Sequence, residues 1–174
     1  SALKKMTYSK DKVALVFVVN PHERDGSFVR YIEETVVPLS QKELPKVVVL
    51  PQEKNLGFGI GNNAGTAWAL ANGYDFVLYH NNDGFFAVNA LEPLVEAFAR
   101  DPQIGAAQSL MLLYPETHLL NSAGNSFQYL GFGFCDQYRT PVSALSLPAI
   151  KEVGYASGAA LMVRSDLVRE YGAW

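Results

Sequence analysis

The stretch Ala71–Phe86, ANGYDFVLYHNNDGFF, decides how the chain folds. Gly73 has the character of a helix-stopping residue, and the apolar run behind it reads as a strand. The strand then ends in two amides, an acid and a glycine. Two readings of that ending are open. Asn, Asp and Gly are the common residues of a strand-to-helix turn. Alternatively, Asn81 and Asp83 alternate onto one side of an extended chain and offer oxygen ligands to a cation. Oxygens of that kind suit Mg²⁺ or Mn²⁺ with substrate phosphates completing the shell. His80 is either a packed strand-end histidine or an additional ligand.

The same alternation of apolar runs and helical stretches continues on both sides. VALVFVV, Val13–Val19, reads as a strand buried on both faces, and KVVVL, Lys46–Leu50, as a second. SFVRYIEETVVPL lies between them as a helix, with Ser27 or Asp25 near its start. NLGFGIGNNAG reads as a turn leading into the helix TAWALAN. ALEPLVEAFAR is a helix with Asn89 as N-cap and Glu92 as its capping-box partner. IGAAQSLMLLY reads as a fourth strand. Strands separated by helices at this spacing predict βαβ units, hence an α/β fold with a mostly parallel sheet flanked by helices. After residue 115 the pattern changes to Gly- and aromatic-rich pieces, which predict a smaller antiparallel part. SGAALMVR adds a strand, and SDLVREYG a helix capped by Ser165 and closed by Gly172. The expected organisation is one domain, residues 1–174, with a nucleotide-binding part over 1–114 and an acceptor-side part over 115–174.

Composition narrows the function. The chain has 174 residues, 49% hydrophobic and 18% charged, with a net charge of −3. This is globular, and it carries no basic stripe for nucleic acid. A single cysteine, Cys135, allows no internal disulfide and no zinc cluster, which favours a reducing, cytoplasmic setting. No apolar run approaches the ~20 residues of a membrane span, and SALKKMTYSK lacks the apolar core of a signal peptide.

In an open α/β sheet, ligands bind at the carboxyl ends of strands. NPHERDGS, NLGFGIGNN and NNDGFF fall there and are expected to form a crevice of backbone N–H groups, amides and an acid, suited to a nucleoside diphosphate. Gly57, Gly59 and Gly61 lack the spacing of a dinucleotide fingerprint and of a Walker loop. Tight turns or close helix–sheet contact explain them equally well. The rings of Phe127, Tyr129, Phe132, Phe134 and Tyr138 form either a second small core or an exposed surface that stacks on acceptor sugars. Their parity breaks unless Gly131 resets it.

KNLGFGIGNNAGTAWALANGYDFVLYHNNDGFF resembles the core of bacterial family 2 glycosyltransferases, which are inverting, nucleotide-sugar-dependent enzymes of the GT-A fold. VFVVNPHERDGS, NSAGNSFQYLGFGF and YASGAALMVRSDLVREYGAW are similar to further segments of the rhamnosyltransferase-type branch. The resemblance implies a role for Asn81, Asn82 and Asp83 as the family's D-x-D motif, with Asp83 on the metal, Mn²⁺ or Mg²⁺. It places Asn20 where many members carry a base-reading Asp; here Pro21, His22 and Glu23 depart from the usual residues that follow. Asn55, Gly57, Asn62 and Asn63 join the nucleotide-sugar site, and Ser157, Gly158 and Ala159 lie beside donor sugar and acceptor. The implied activity is sugar transfer to a saccharide or lipid-linked acceptor for cell-surface polysaccharide, in the cytoplasm or at the inner face of the membrane. The family's first strand would precede Ser1 and its general base would follow Trp174, so the chain alone is expected to be inactive. Asp136 and Asp166 are available acids, with Asp166 better explained at a helix first turn. The alternatives are a non-catalytic saccharide- or partner-binding module and a sugar nucleotidyltransferase.

Overall fold

The computed structural model describes residues 2–21 and 27–174; His22, Glu23 and Asp25 lie outside the described residues. The element order is β1 (Ala14–Val19), α1 (Ser27–Thr35), β2 (Lys46–Pro51), α2 (Gly57–Ala71), β3 (Phe76–His80), α3 (Leu91–Arg100), β4 (Ala106–Gln108), β5 (Met111–Leu112), β6 (Leu120–Ser122), β7 (Asn125–Phe127), β8 (Gly133–Cys135), β9 (Ala160–Arg164) and α4 (Ser165–Tyr171). The residues group into two compact units. One holds the described residues up to Val77 with Phe85–Glu92 and Arg164–Trp174; the other holds Leu78–Gly84 and Pro93–Val163.

In the first unit β1 and β2 pair in parallel, Ala14 against Lys46 through Val19 against Pro51. Their β-branched residues suit the pleat. β1 is half-buried along its whole length rather than buried on both faces, because its sheet has only two strands and neither is central. Helix α2 lies against β1 through glycine: a Cβ on Gly65 would sit 3.1 Å from Val18 Cγ2, and one on Gly61 3.2 Å from Asn20 Nδ2. The helix therefore starts at Gly57, not at Thr66 as its propensities predict. Gly costs about 1 kcal/mol per helical position relative to Ala; close approach to the strand outweighs that cost here. Gly73, at φ +74°, follows the helix end as expected.

The second unit contains most of a three-stranded sheet in the order β3-β9-β4. β4 runs antiparallel to β9, Ala106 facing Val163. The expected single strand Ile104–Tyr114 is two short ones, since β4 pairs with β9 while β5 pairs antiparallel with β6. The only parallel pair whose register is described is β1–β2, so the sheets are small and mixed rather than one mostly parallel sheet. Leu94, Ala97 and Phe98 of α3 are buried at helical spacing, beside a core that includes Tyr79, Leu120, Leu161 and Met162.

Two expected caps differ. Asn89 lies in a turn and α3 begins at Leu91. Glu92 instead accepts a hydrogen bond from Thr7 Oγ1 at 2.5 Å, a tertiary tie that replaces the local box. Ser165 is the first residue of α4 and Arg164 its N-cap. Asp166 accepts from the backbone N–H of Leu167 and pairs with Arg164, as a first-turn acid does.

β7 and β8 form a hairpin, Asn125 against Cys135 and Phe127 against Gly133. Gly131, at φ +85°, lies in the five-residue connection 128–132, and its N–H bonds to Gln128 O at 2.8 Å. This is a type of turn in which a left-handed residue completes the reversal. Phe127 and Phe134 are thus on different strands, which removes the parity conflict. The rings do not form a second core: Phe127 is 63% exposed, Tyr129 93%, Phe132 62% and Phe134 54%. Cys135 is exposed on β8.

Candidate active site

Asn20 stands at the carboxyl end of β1. Its Oδ1 accepts from the N–H of Leu56 and its Nδ2 donates to Gly57 O, both at 3.3 Å. Asn55 Oδ1 accepts from the N–H of Gly57 at 2.9 Å. These two amides shape the start of α2, and Gly57 adopts φ +70° to make the turn into the helix. Asn62 donates to Phe58 O, one turn back along α2. Asn63 is held at both ends by Trp174, donating to its carbonyl at 2.9 Å and accepting from its N–H at 3.0 Å. The structure thus brings Asn20, Asn55 and Gly57 together, while Asn62 and Asn63 spend these bonds on the helix and on Trp174. Beside Asn20, a cleft is lined by Val19, Pro21, Phe28, Val29, Pro51 and Gln52, at the ends of β1 and β2 and the start of α1.

In the second unit, β3 delivers Asn81, Asn82 and Asp83 into a tight turn in which the N–H of Gly84 bonds to Asn81 O at 3.2 Å. Asn82 and Asp83 are exposed. Gly84 packs closely on His80: a Cβ there would fall 2.9 Å from its Cε1 and Nε2. Burial holds His80 below its ordinary 6.5, against the opposing pull of Asp83, so the imidazole is neutral at pH 7. The N–H of Asn81 bonds to Ala159 O at 3.2 Å, which joins this turn to the loop Ser157–Ala159.

That loop is set by residues for which the sequence gives no motif. Gln108 Oε1 accepts from the N–H of Ser157 at 2.7 Å and from Asn125 Nδ2 at 3.0 Å. Asn125 is 1% exposed; it also donates to Tyr155 O and accepts from Ser122 Oγ. A satisfied buried network of this kind fixes one arrangement of its loops. A lone Gln in a short apolar strand carries no advance signal of it.

Among the described residues, no group of three or more His, Cys, Asp or Glu is placed to hold a metal. Asp83 is a single carboxylate beside two amides. Such a set fits Mg²⁺ or Mn²⁺ when phosphate oxygens and water supply the other ligands, and it does not fit a cage made by protein alone. Asp136 is engaged by Ser126 and Lys151 rather than offered as a base.

The sequence profile of glycosyl transferase family 2 matches residues 11–172. The chain belongs to glycosyl transferase family 2. Membership of family 2 supports glycosyl transfer as the general class of activity, and the family implies a nucleotide-sugar donor and an acceptor. No curated protein matches the chain, and no solved structure does. Among the described residues, no helix of the family 2 domain is long and apolar enough to cross a membrane.

Proposed function

We propose that this domain transfers a sugar from a nucleotide-sugar donor to a saccharide or lipid-linked acceptor in the synthesis of cell-surface polysaccharide. The observation that carries the reading is the turn Asn81–Asp83, which leaves one exposed carboxylate at the end of a strand and is tied through Asn81 to Ala159. Asp83 holds Mn²⁺ or Mg²⁺ together with the donor diphosphate. The cation supplies charge neutralisation as the nucleoside diphosphate departs. Asn20, Asn55, Gly57, Asn62 and Asn63 are the further residues of the nucleotide-sugar side in this reading. Ser157, Gly158 and Ala159 lie on the sugar and acceptor side. Inverting transfer also requires a carboxylate to accept the acceptor's hydroxyl proton; Asp136 is paired with Lys151 and Asp166 with Arg164.

Calorimetric titration with uridine, guanosine and thymidine diphosphates, with and without Mn²⁺, tests this reading. The chain is expected to bind one of them more tightly with the metal. Asp83→Ala should remove the metal-dependent gain and leave the melting transition within about 0.5 kcal/mol of the parent, as for an exposed turn residue. Binding by Asp83→Ala as tight as the parent's, with the same metal dependence, overturns it.

A further inference from the structure

The turn of the β7–β8 hairpin displays Tyr129, Leu130 and Phe132 at 93%, 64% and 62% exposure. We infer that this turn enters the interfacial layer of a lipid bilayer and seats the domain on a membrane surface. Three observations favour a lipid medium. Three N–H groups of the turn are paired within it: Gln128 N–H bonds to Phe132 O at 3.1 Å, Gly131 N–H to Gln128 O at 2.8 Å, and Leu130 N–H to the Gln128 side-chain oxygen at 2.9 Å. Each such bond lowers the cost of moving the turn into the less polar interfacial layer. The run Thr117–Cys135 contains no Asp, Glu, Lys or Arg, so no charge has to be dragged out of water. The side chains are a tyrosine, a leucine and a phenylalanine, and aromatic rings of this kind settle at headgroup level.

Other occupants fit less well. A sugar face needs polar groups beside the ring it stacks on. The polar side chain within the turn, Gln128, is turned inward to the N–H of Leu130. A second copy of the chain would need about 800 Å² from each partner for a stable interface. The tip itself, two rings at about 150–250 Å² apiece and one leucine, falls short of that, and sedimentation velocity tests whether the neighbouring exposed rings extend it into a dimer face. The same three suffice for reversible attachment to a surface, where depth rather than shape complementarity is required. The inference is independent of sugar transfer, and its test uses no nucleotide.

The experiment is co-sedimentation of the whole chain with phosphatidylcholine vesicles at low and high NaCl, together with sedimentation velocity of the chain alone. The parent is expected to pellet with the vesicles at both salt concentrations, since no charge pairing is involved. The double variant Leu130→Asn, Phe132→Asn should lose at least about tenfold in partitioning. Leu130→Ile with Phe132→Leu should keep it, which separates loss of apolar contact from misfolding. A parent that stays in the supernatant overturns the inference. So does a conservative pair that fails as badly as the polar one, or a parent dimer that the polar pair dissolves.

Discussion

NLGFGIGNNAG and NSAGNSFQYLGFGF are both rich in glycine and asparagine, with one aromatic in the first and four in the second. The first becomes the opening turns of helix α2 and the second a β-hairpin. The difference lies in spacing. Gly57, Gly61 and Gly65 recur at every fourth position and fall on one helix face, where Gly61 and Gly65 let the backbone approach Asn20 and Val18. Gly124 and Gly131 are at φ +106° and +85°, conformations that only glycine and a few polar residues take readily. Gly57 supplies curvature at the start of α2 and Gly133 close contact in β8, so each region uses both properties; what differs is that the contact glycines of α2, Gly61 and Gly65, are spaced for one helix face.

The largest test of that contrast is Gly65→Leu. It puts a branched side chain where even a Cβ would sit 3.1 Å from Val18 Cγ2. The cost is expected to be about 2–3 kcal/mol, read from urea unfolding. A neutral result would break the contact explanation. Next, Gly131→Ala should cost about 1 kcal/mol from left-handed strain, since no atom lies within 4 Å of its Cβ position. Gly131→Asn should recover most of that loss, because Asn tolerates the same conformation. Equal losses in the two variants would show that the backbone angle is not what matters there.

The smallest expected effect concerns the outer tie of the hairpin. Hydrogen bonds from Ser126 and Lys151 hold Asp136 below its ordinary 3.8. A carboxyl whose value is lowered by folding stabilises the native chain in full above its unfolded value. That contribution fades as the pH falls through the lower, folded value. Hydrogen exchange at the hairpin amides should therefore quicken below about pH 3.8 more in the parent than in Lys151→Met, which has already lost part of the tie. An identical acid response in both would detach Asp136 from the hairpin's stability.

Much of the scaffold is legible from hydrophobic period alone. The runs that became β1, β2 and β3 are apolar and short, and α3 shows Leu94, Ala97 and Phe98 at helical spacing. The start of α2 is hidden because its propensities argue against a helix, and only contact with β1 overrides them. The N-cap of α3 is hidden because Glu92 has a distant partner, Thr7, that no local rule can name. At the site, the turn Asn81–Asp83 is visible as a polar interruption of an apolar run. Gln108 and Asn125 are not, since their value comes from partners 49 and 17 residues away in sequence. The outward rings of the hairpin defeat the rule that aromatics go inside, a rule that holds only when a second layer exists to receive them.

The only thiol of the chain, Cys135, is exposed on β8, a few residues from the turn at Tyr129–Phe132. The protein thus arrives with its own single-site labelling chemistry. A maleimide fluorophore or nitroxide placed there, with no residue exchanged and no competing sulfhydryl, would report the polarity around the hairpin as it meets a vesicle, a sugar or plain buffer.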